Sequence, residues 1–115
     1  MSNSLLLLGL IGVAGGVGSV LRVFIIRWEG VLPFGLVTVN TLAAMFLGWA
    51  YAGYLTQDWL IIATVGFAGG LSTFSGIAKA GFDYWHTGRL VQIFLTLAIN
   101  VVVPLVGMML VLYLF

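Results

Sequence analysis

From Gly69 to Gly76 the chain reads GGLSTFSG, inside a stretch that is otherwise apolar enough and long enough to cross a membrane. Bilayer hydrocarbon holds no water to pair loose backbone N–H and C=O groups. A glycine- and hydroxyl-rich interruption at that depth persists only where it is buried in protein or lines a cavity. Broken helices of this kind carry the binding sites of many transporters. The membrane itself follows from composition. The 115 residues are 63% hydrophobic and 6% charged, with a mean hydropathy of +1.24. A soluble domain carries roughly 25% charged residues to dress its wet surface. This chain has too few, so its solvent is lipid.

A spanning helix needs about 20 mostly apolar residues, and the chain divides into four. The expected spans are 5–26, 33–55, 59–85 and 89–115, forming one all-α integral membrane domain with span 3 broken in its middle. Arg27, Trp28, Glu29 and Gly30 close span 1, and Pro33 follows as a breaker. Thr56-Gln57-Asp58 and His86-Thr87-Gly88 make the other turns. Trp28, Trp59, Tyr84 and Trp85 sit at span ends, as interfacial anchors do, whereas Trp49 and Tyr51 do not. The N-terminal apolar run lacks a basic flank and outlasts a signal-peptide core, so it reads as a retained first span. Arg27 and Arg89 lie in the loops after spans 1 and 3, and the opposite side has no Lys or Arg. The positive-inside rule puts those two loops in the cytoplasm and both termini outside.

Whole classes of chemistry drop out. No cysteine is present, which removes disulfides and thiol chemistry, and the lone His86 makes no metal cluster within a chain. A net charge of +1 is no footprint for nucleic acid. Glu29, Asp58 and Asp83 lie at or near segment ends, so no carboxylate sits mid-membrane. That argues against proton coupling and against hydrolysis, and the chain is not expected to be an enzyme.

The polar residues within the spans are the candidate site. Arg22 shares a helix face with Gly15, Gly18 and Ser19, so it either faces a polar cavity or snorkels to the surface. Asn40 offers donors and an acceptor from span 2, for an ion or for an interhelical hydrogen bond. Ser72, Thr73 and Ser75 supply hydroxyls around Phe74, and the glycine pair frees carbonyls. Carbonyls suit a hard cation, while hydroxyls and ring edges suit an anion. Lys79 follows the break, either adding positive potential to an anion path or snorkelling. Thr96, Asn100 and Gly107 share a face of span 4, with Pro104 unable to donate to Asn100's carbonyl. This face reads as a polar track or as a bent packing helix. Gly12 with Gly16, Gly15 with Ser19, and Ala44, Gly48 and Ala52 have the spacing of close helix packing.

Three segments in order resemble the Fluc, or CrcB, family of small bacterial fluoride channels. GGVGSVLR (Gly15 to Arg22) is similar to its glycine-rich stretch ending in Arg, and PFGLVTVNTLAAMFLG (Pro33 to Gly48) to its Gly-x-x-x-Val-Asn segment. GFAGGLSTFSG (Gly66 to Gly76) resembles its most diagnostic motif, GF-x-GG-x-TTFST. The resemblance covers essentially the whole four-span pattern. It implies an antiparallel dimer in the bacterial plasma membrane, with pores along the subunit interface and passive export of fluoride. It implies a structural Na+ held by backbone carbonyls, by position those of Gly69 and Ser72. It makes Asn40, Phe74, Thr73 and Ser75 the fluoride path and Arg22 the vestibule cation. Span 4 has no clear match to the family's Tyr and Ser pattern, so Thr96 and Asn100, with Lys79 and Ile77, are pore-adjacent candidates by their own placement.

The chain departs from that pattern at Ile77 and Ala80, where the family has a second Phe and a Glu, and mildly at Ser72. With an aromatic missing, the resemblance implies either a homodimer or pairing with a sister subunit that keeps the second Phe. A proton-coupled multidrug-type exporter would need an embedded Glu in span 1, where Arg22 stands instead. A non-conducting assembly subunit is the third reading, which the missing Phe leaves open.

Overall fold

The computed structural model describes residues 3–28 and 33–115, all helix or connecting turn with no strand among them. The expected closing residues Glu29 and Gly30 lie outside the described residues. Among the described residues four segments are long and apolar enough to cross a bilayer: Ser4–Ile25, Phe34–Gly53, Gln57–His86 and Leu90–Leu114. Their bounds lie within two residues of the expected ones. The second ends at Gly53, so Trp49 and Tyr51 lie within about a turn of a span end after all.

Helix α1 (Ser4–Ile25) is started by Asn3, whose Oδ1 accepts from the Leu5 N–H at 2.9 Å. Helix α2 (Phe34–Trp49) continues through a π-helical turn, Ala50–Tyr54, and stops where Gly53 takes a φ of 100°. The third span is assembled from pieces: α3 (Gln57–Ile61), a π-helical segment Ile62–Ala68, α4 (Gly69–Leu71), a gap, and α5 (Ser75–His86). Within the π segment Thr64 Oγ1 donates to the Leu60 carbonyl at 2.8 Å, and such back-bonding loosens the regular ladder. Helix α5 ends in a Schellman motif. Gly88, at φ 74°, donates to Trp85 O at 3.2 Å and Arg89 N–H donates to Tyr84 O at 2.8 Å. Helix α6 (Leu90–Leu114) runs through Pro104 without interruption.

The spans pair by small residues. Helix α1 packs along the π segment and α4, and α2 packs along α6. A Cβ on Gly18 would lie 2.5 Å from the Phe67 carbonyl, and one on Gly70 would strike the Gly15 carbonyl, so these backbones touch. The seam of α2 and α6 is made the same way, with Gly48 against Met108 and Gly107 against Met45 and Thr41. The expected Gly12–Gly16 pair does not pack within the chain. Among the described residues nothing lies within 4 Å of a Cβ at either residue, because α1 presents Gly15 and Gly18 to the third span and turns Gly12 and Gly16 outward. Where the seams meet, Val39, Ala43, Ala68 and Leu71 form the core, bordered by Phe46 and Phe67 edge-on at 4.9 Å. The molecule is a slab 53 Å long and 17 Å thin. Its length spans a bilayer with its headgroups; its thinness leaves the break near a surface.

Candidate functional site

The gap in the third span follows from where two backbone N–H groups go. Leu71 ends α4, and Ser72 is extended at φ −77°, ψ 158°. Thr73 N–H then donates to Asn40 Oδ1 at 2.8 Å, not to the carbonyl four residues back. Gly76 N–H donates to Thr73 Oγ1 at 3.1 Å, so Thr73 caps the start of α5. Both diversions leave a carbonyl behind. Gly69 O and Ser72 O receive no donor among the described residues. Thr73 Oγ1 also lies 3.0 Å from Ser75 Oγ, and Ser19 Oγ donates to Gly70 O at 3.4 Å. The carbonyl end of one half-helix thus faces the N–H end of the other, the dipole arrangement of discontinuous membrane helices.

Beneath the break, Asn40 and Asn100 bring α2 and α6 together. Asn40 Nδ2 donates to Asn100 Oδ1 at 2.8 Å, and Asn100 Nδ2 donates to the Thr96 carbonyl at 2.9 Å. Both amides are buried, 9% and 7% exposed, and Thr96 is fully enclosed behind them. The hydroxyls of Thr96 and of Thr41 are buried without a partner among the described residues.

An open groove of about 390 Å³ runs over this arrangement. Its polar wall is Asn40, Asn100, Thr64, Ser72 and Thr73, with Gly69 between. Phe74 and Ile77 close it on the side of α5, over a floor of Ala43, Ala44, Leu47 and Ala68. Phe74 is 77% exposed, so its ring stands at the rim of this single chain.

The structure therefore gathers Asn40, Asn100, Gly69, Ser72, Thr73, Phe74 and Ile77 at one groove. Ser75 adjoins it through Thr73, and Thr96 backs it through Asn100. Arg22 and Lys79 stand apart. Arg22 is half-buried in the last turn of α1, where its charge complements the helix dipole. Lys79 lines a second, smaller hollow with Pro33, Leu36, Gly76 and Asp83. Thr64 escaped the sequence reading because a lone threonine in an apolar run has no distinguishing spacing.

Four described helices long and apolar enough to cross a membrane, one of them broken beside a groove walled by Asn40, Asn100, Ser72 and Thr73, make this an integral membrane protein. The chain belongs to the CrcB-like family, described as "CrcB-like protein, Camphor Resistance (CrcB)", whose pattern it matches over residues 9–112. It is similar to proteins named fluoride-specific ion channel FluC. That of Pyrococcus horikoshii is 32% identical over 110 residues, covering 86% of this chain and 87% of the relative. That of Pectobacterium carotovorum is 34% identical over 102 residues, 76% of each. That of Serratia proteamaculans is 34% identical over 114 residues, covering 88% of this chain and 90% of the relative.

Proposed function

We propose that this chain is a subunit of a passive, fluoride-selective channel that lets fluoride leave the cytoplasm. The observation that carries the reading is the meeting of Asn40, Thr73 and Phe74 at one groove, in a chain whose relatives are named for fluoride. Fluoride is small and strongly hydrated, so a pore must replace its water with donors. Amide N–H, hydroxyl O–H and the positive edge of a Phe ring do this without holding the ion too tightly. Neither of the described acidic residues, Asp58 and Asp83, lines the groove, so flow is driven by concentration and voltage alone. Arg22, nearer the end of its span, concentrates anions at a mouth.

The channel is a dimer of antiparallel subunits. In a single chain the rim of the break, with Gly69, Phe74 and Ser75 exposed, would face lipid with unpaired backbone. A second subunit laid across this face covers it and closes the groove into a path. The undonated carbonyls of Gly69 and Ser72 fit a structural Na+, because hard uncharged oxygens suit a hard monovalent cation. Its charge would offset the repulsion of anions buried nearby.

Ile77 lines the groove where an aromatic would complete the path. The partner is therefore a sister chain that keeps the second Phe and carries the opposite loop-charge bias. The test is fluoride efflux from liposomes holding this chain alone, with the sister chain, and with Asn40→Leu or Phe74→Ala in place. Efflux with the sister, reduced about tenfold or more by either substitution, is expected if each group supplies about 1.4 kcal/mol or more to passage. No fluoride efflux in any pairing sinks the channel reading. Full efflux from this chain alone leaves the channel and removes the sister subunit.

A further inference from the structure

We infer that Asn100 is a positioning and specificity-determining residue of the channel: it fixes the polarity of the Asn40 amide, so that the groove is offered N–H donors. The inference rests on the fluoride-channel reading above. Three hydrogen bonds run in one direction, from Thr73 N–H to Asn40 at 2.8 Å, from Asn40 to Asn100 at 2.8 Å, and from Asn100 to the Thr96 carbonyl at 2.9 Å. The two ends of this relay are backbone groups of fixed character. Thr73 N–H can only donate and Thr96 C=O can only accept. An amide presents an oxygen on one side and an NH2 on the other. Turning Asn40 over sets donor against donor at Thr73. Turning Asn100 over sets acceptor against acceptor at Thr96. Turning both does both, so one orientation of the pair survives.

In that orientation each side-chain oxygen is engaged, and each Nδ2 spends one hydrogen and keeps one. Both residues line the groove while remaining at least nine-tenths buried. An ion entering meets two amide N–H groups backed by aligned dipoles, a setting that attracts an anion and repels a cation. Thr73 alone would hold Asn40 by one bond, about which the amide can swing. Asn100 adds the second bond that stops the swing, and a donor of its own.

The substitution Asn100→Asp tests this, because its two protonation states act oppositely. A neutral carboxyl accepts from Asn40 and donates O–H to Thr96, preserving the relay. A carboxylate cannot donate to Thr96 and sets a negative charge in the anion path. Helix α6 packs against α2, which has no titratable group, and against α5, whose Lys79, Asp83, Tyr84 and His86 do not line the groove. Fluoride efflux from liposomes bearing this chain with its partner is measured from about pH 5.5 to about pH 9, the range into which burial raises a carboxyl. Efflux of Asn100→Asp relative to wild type is expected to fall about tenfold or more as pH rises and the neutral form becomes the minority. Asn100→Leu, eluting as the wild-type complex does, is expected to be slow at every pH. A flat ratio for Asn100→Asp, or wild-type efflux from Asn100→Leu, overturns the inference. Wild-type complex that carries no fluoride at any pH fails the channel reading, and the inference falls with it.

Discussion

At the scale of single residues, glycines divide by what a methyl group would strike. On Gly70 it would fall on the Gly15 carbonyl, a backbone atom that cannot turn aside. Gly70→Ala is expected to destabilise the chain by about 1–3 kcal/mol, the usual cost of overpacking. Gly9 has nothing within 4 Å, and Gly9→Ala is expected to be neutral or slightly stabilising through helix propensity. Chemical unfolding in detergent micelles compares the two. Thr96 offers the opposite case. Its hydroxyl is buried and unpaired, so Thr96→Val is expected to stabilise by about 1 kcal/mol in the same assay. The sequence marked Thr96, Asn100 and Asn40 as polar and out of place. It left Asn40 open between ion ligand and interhelical bond, and it left α6 open between polar track and packing face. In the structure the two amides bond to each other across the helices, and both residues also line the groove.

At the scale of the element, the third span is where local chemistry is most legible. GGLSTFSG announced a break, and the helix does part between Leu71 and Ser75. Thr73 makes the restart possible by capping α5 through Gly76 N–H. Removing that hydroxyl with Thr73→Val is expected to cost about 1 kcal/mol, while Thr73→Ser retains most of it. Thermal unfolding of the purified protein reads the difference. The π-helical stretch before the break was not legible, since it depends on Thr64 taking the Leu60 carbonyl and on α1 lying against Gly66. Nor was the outward turn of Gly12 and Gly16. Glycine spacing gives a helix a flat face, but which face meets a neighbour is decided by the neighbour.

At the scale of the whole molecule, the slab is too thin to enclose its own site, and that is why a second subunit enters the functional proposal. Ile77→Phe puts an aromatic ring back at the groove. It is expected to raise fluoride efflux from this chain alone; an unchanged rate would count against the missing ring as the reason for a sister subunit. Orientation is testable because the chain contains no cysteine, so any introduced thiol is unique. With Arg27 and Arg89 on the cytoplasmic side, Thr56→Cys is expected to react with a membrane-impermeant maleimide in intact cells. Thr87→Cys is expected to react only after lysis, and the reverse pattern would invert the topology.

By itself the sequence determined the solvent, the four spans, the place of the break and the family. Each of these follows from apolar length, charge count or a contiguous motif, which are properties of neighbours along the chain. Tertiary structure alone decided that Asn40 reaches Thr73 in one direction and Asn100 in the other. It also decided that Arg22 and Lys79 stand away from the groove those residues line. A hydrogen bond needs partners within about 3 Å, and only the packing of α2 along α6, with the broken span laid beside them, brings such distant positions that close.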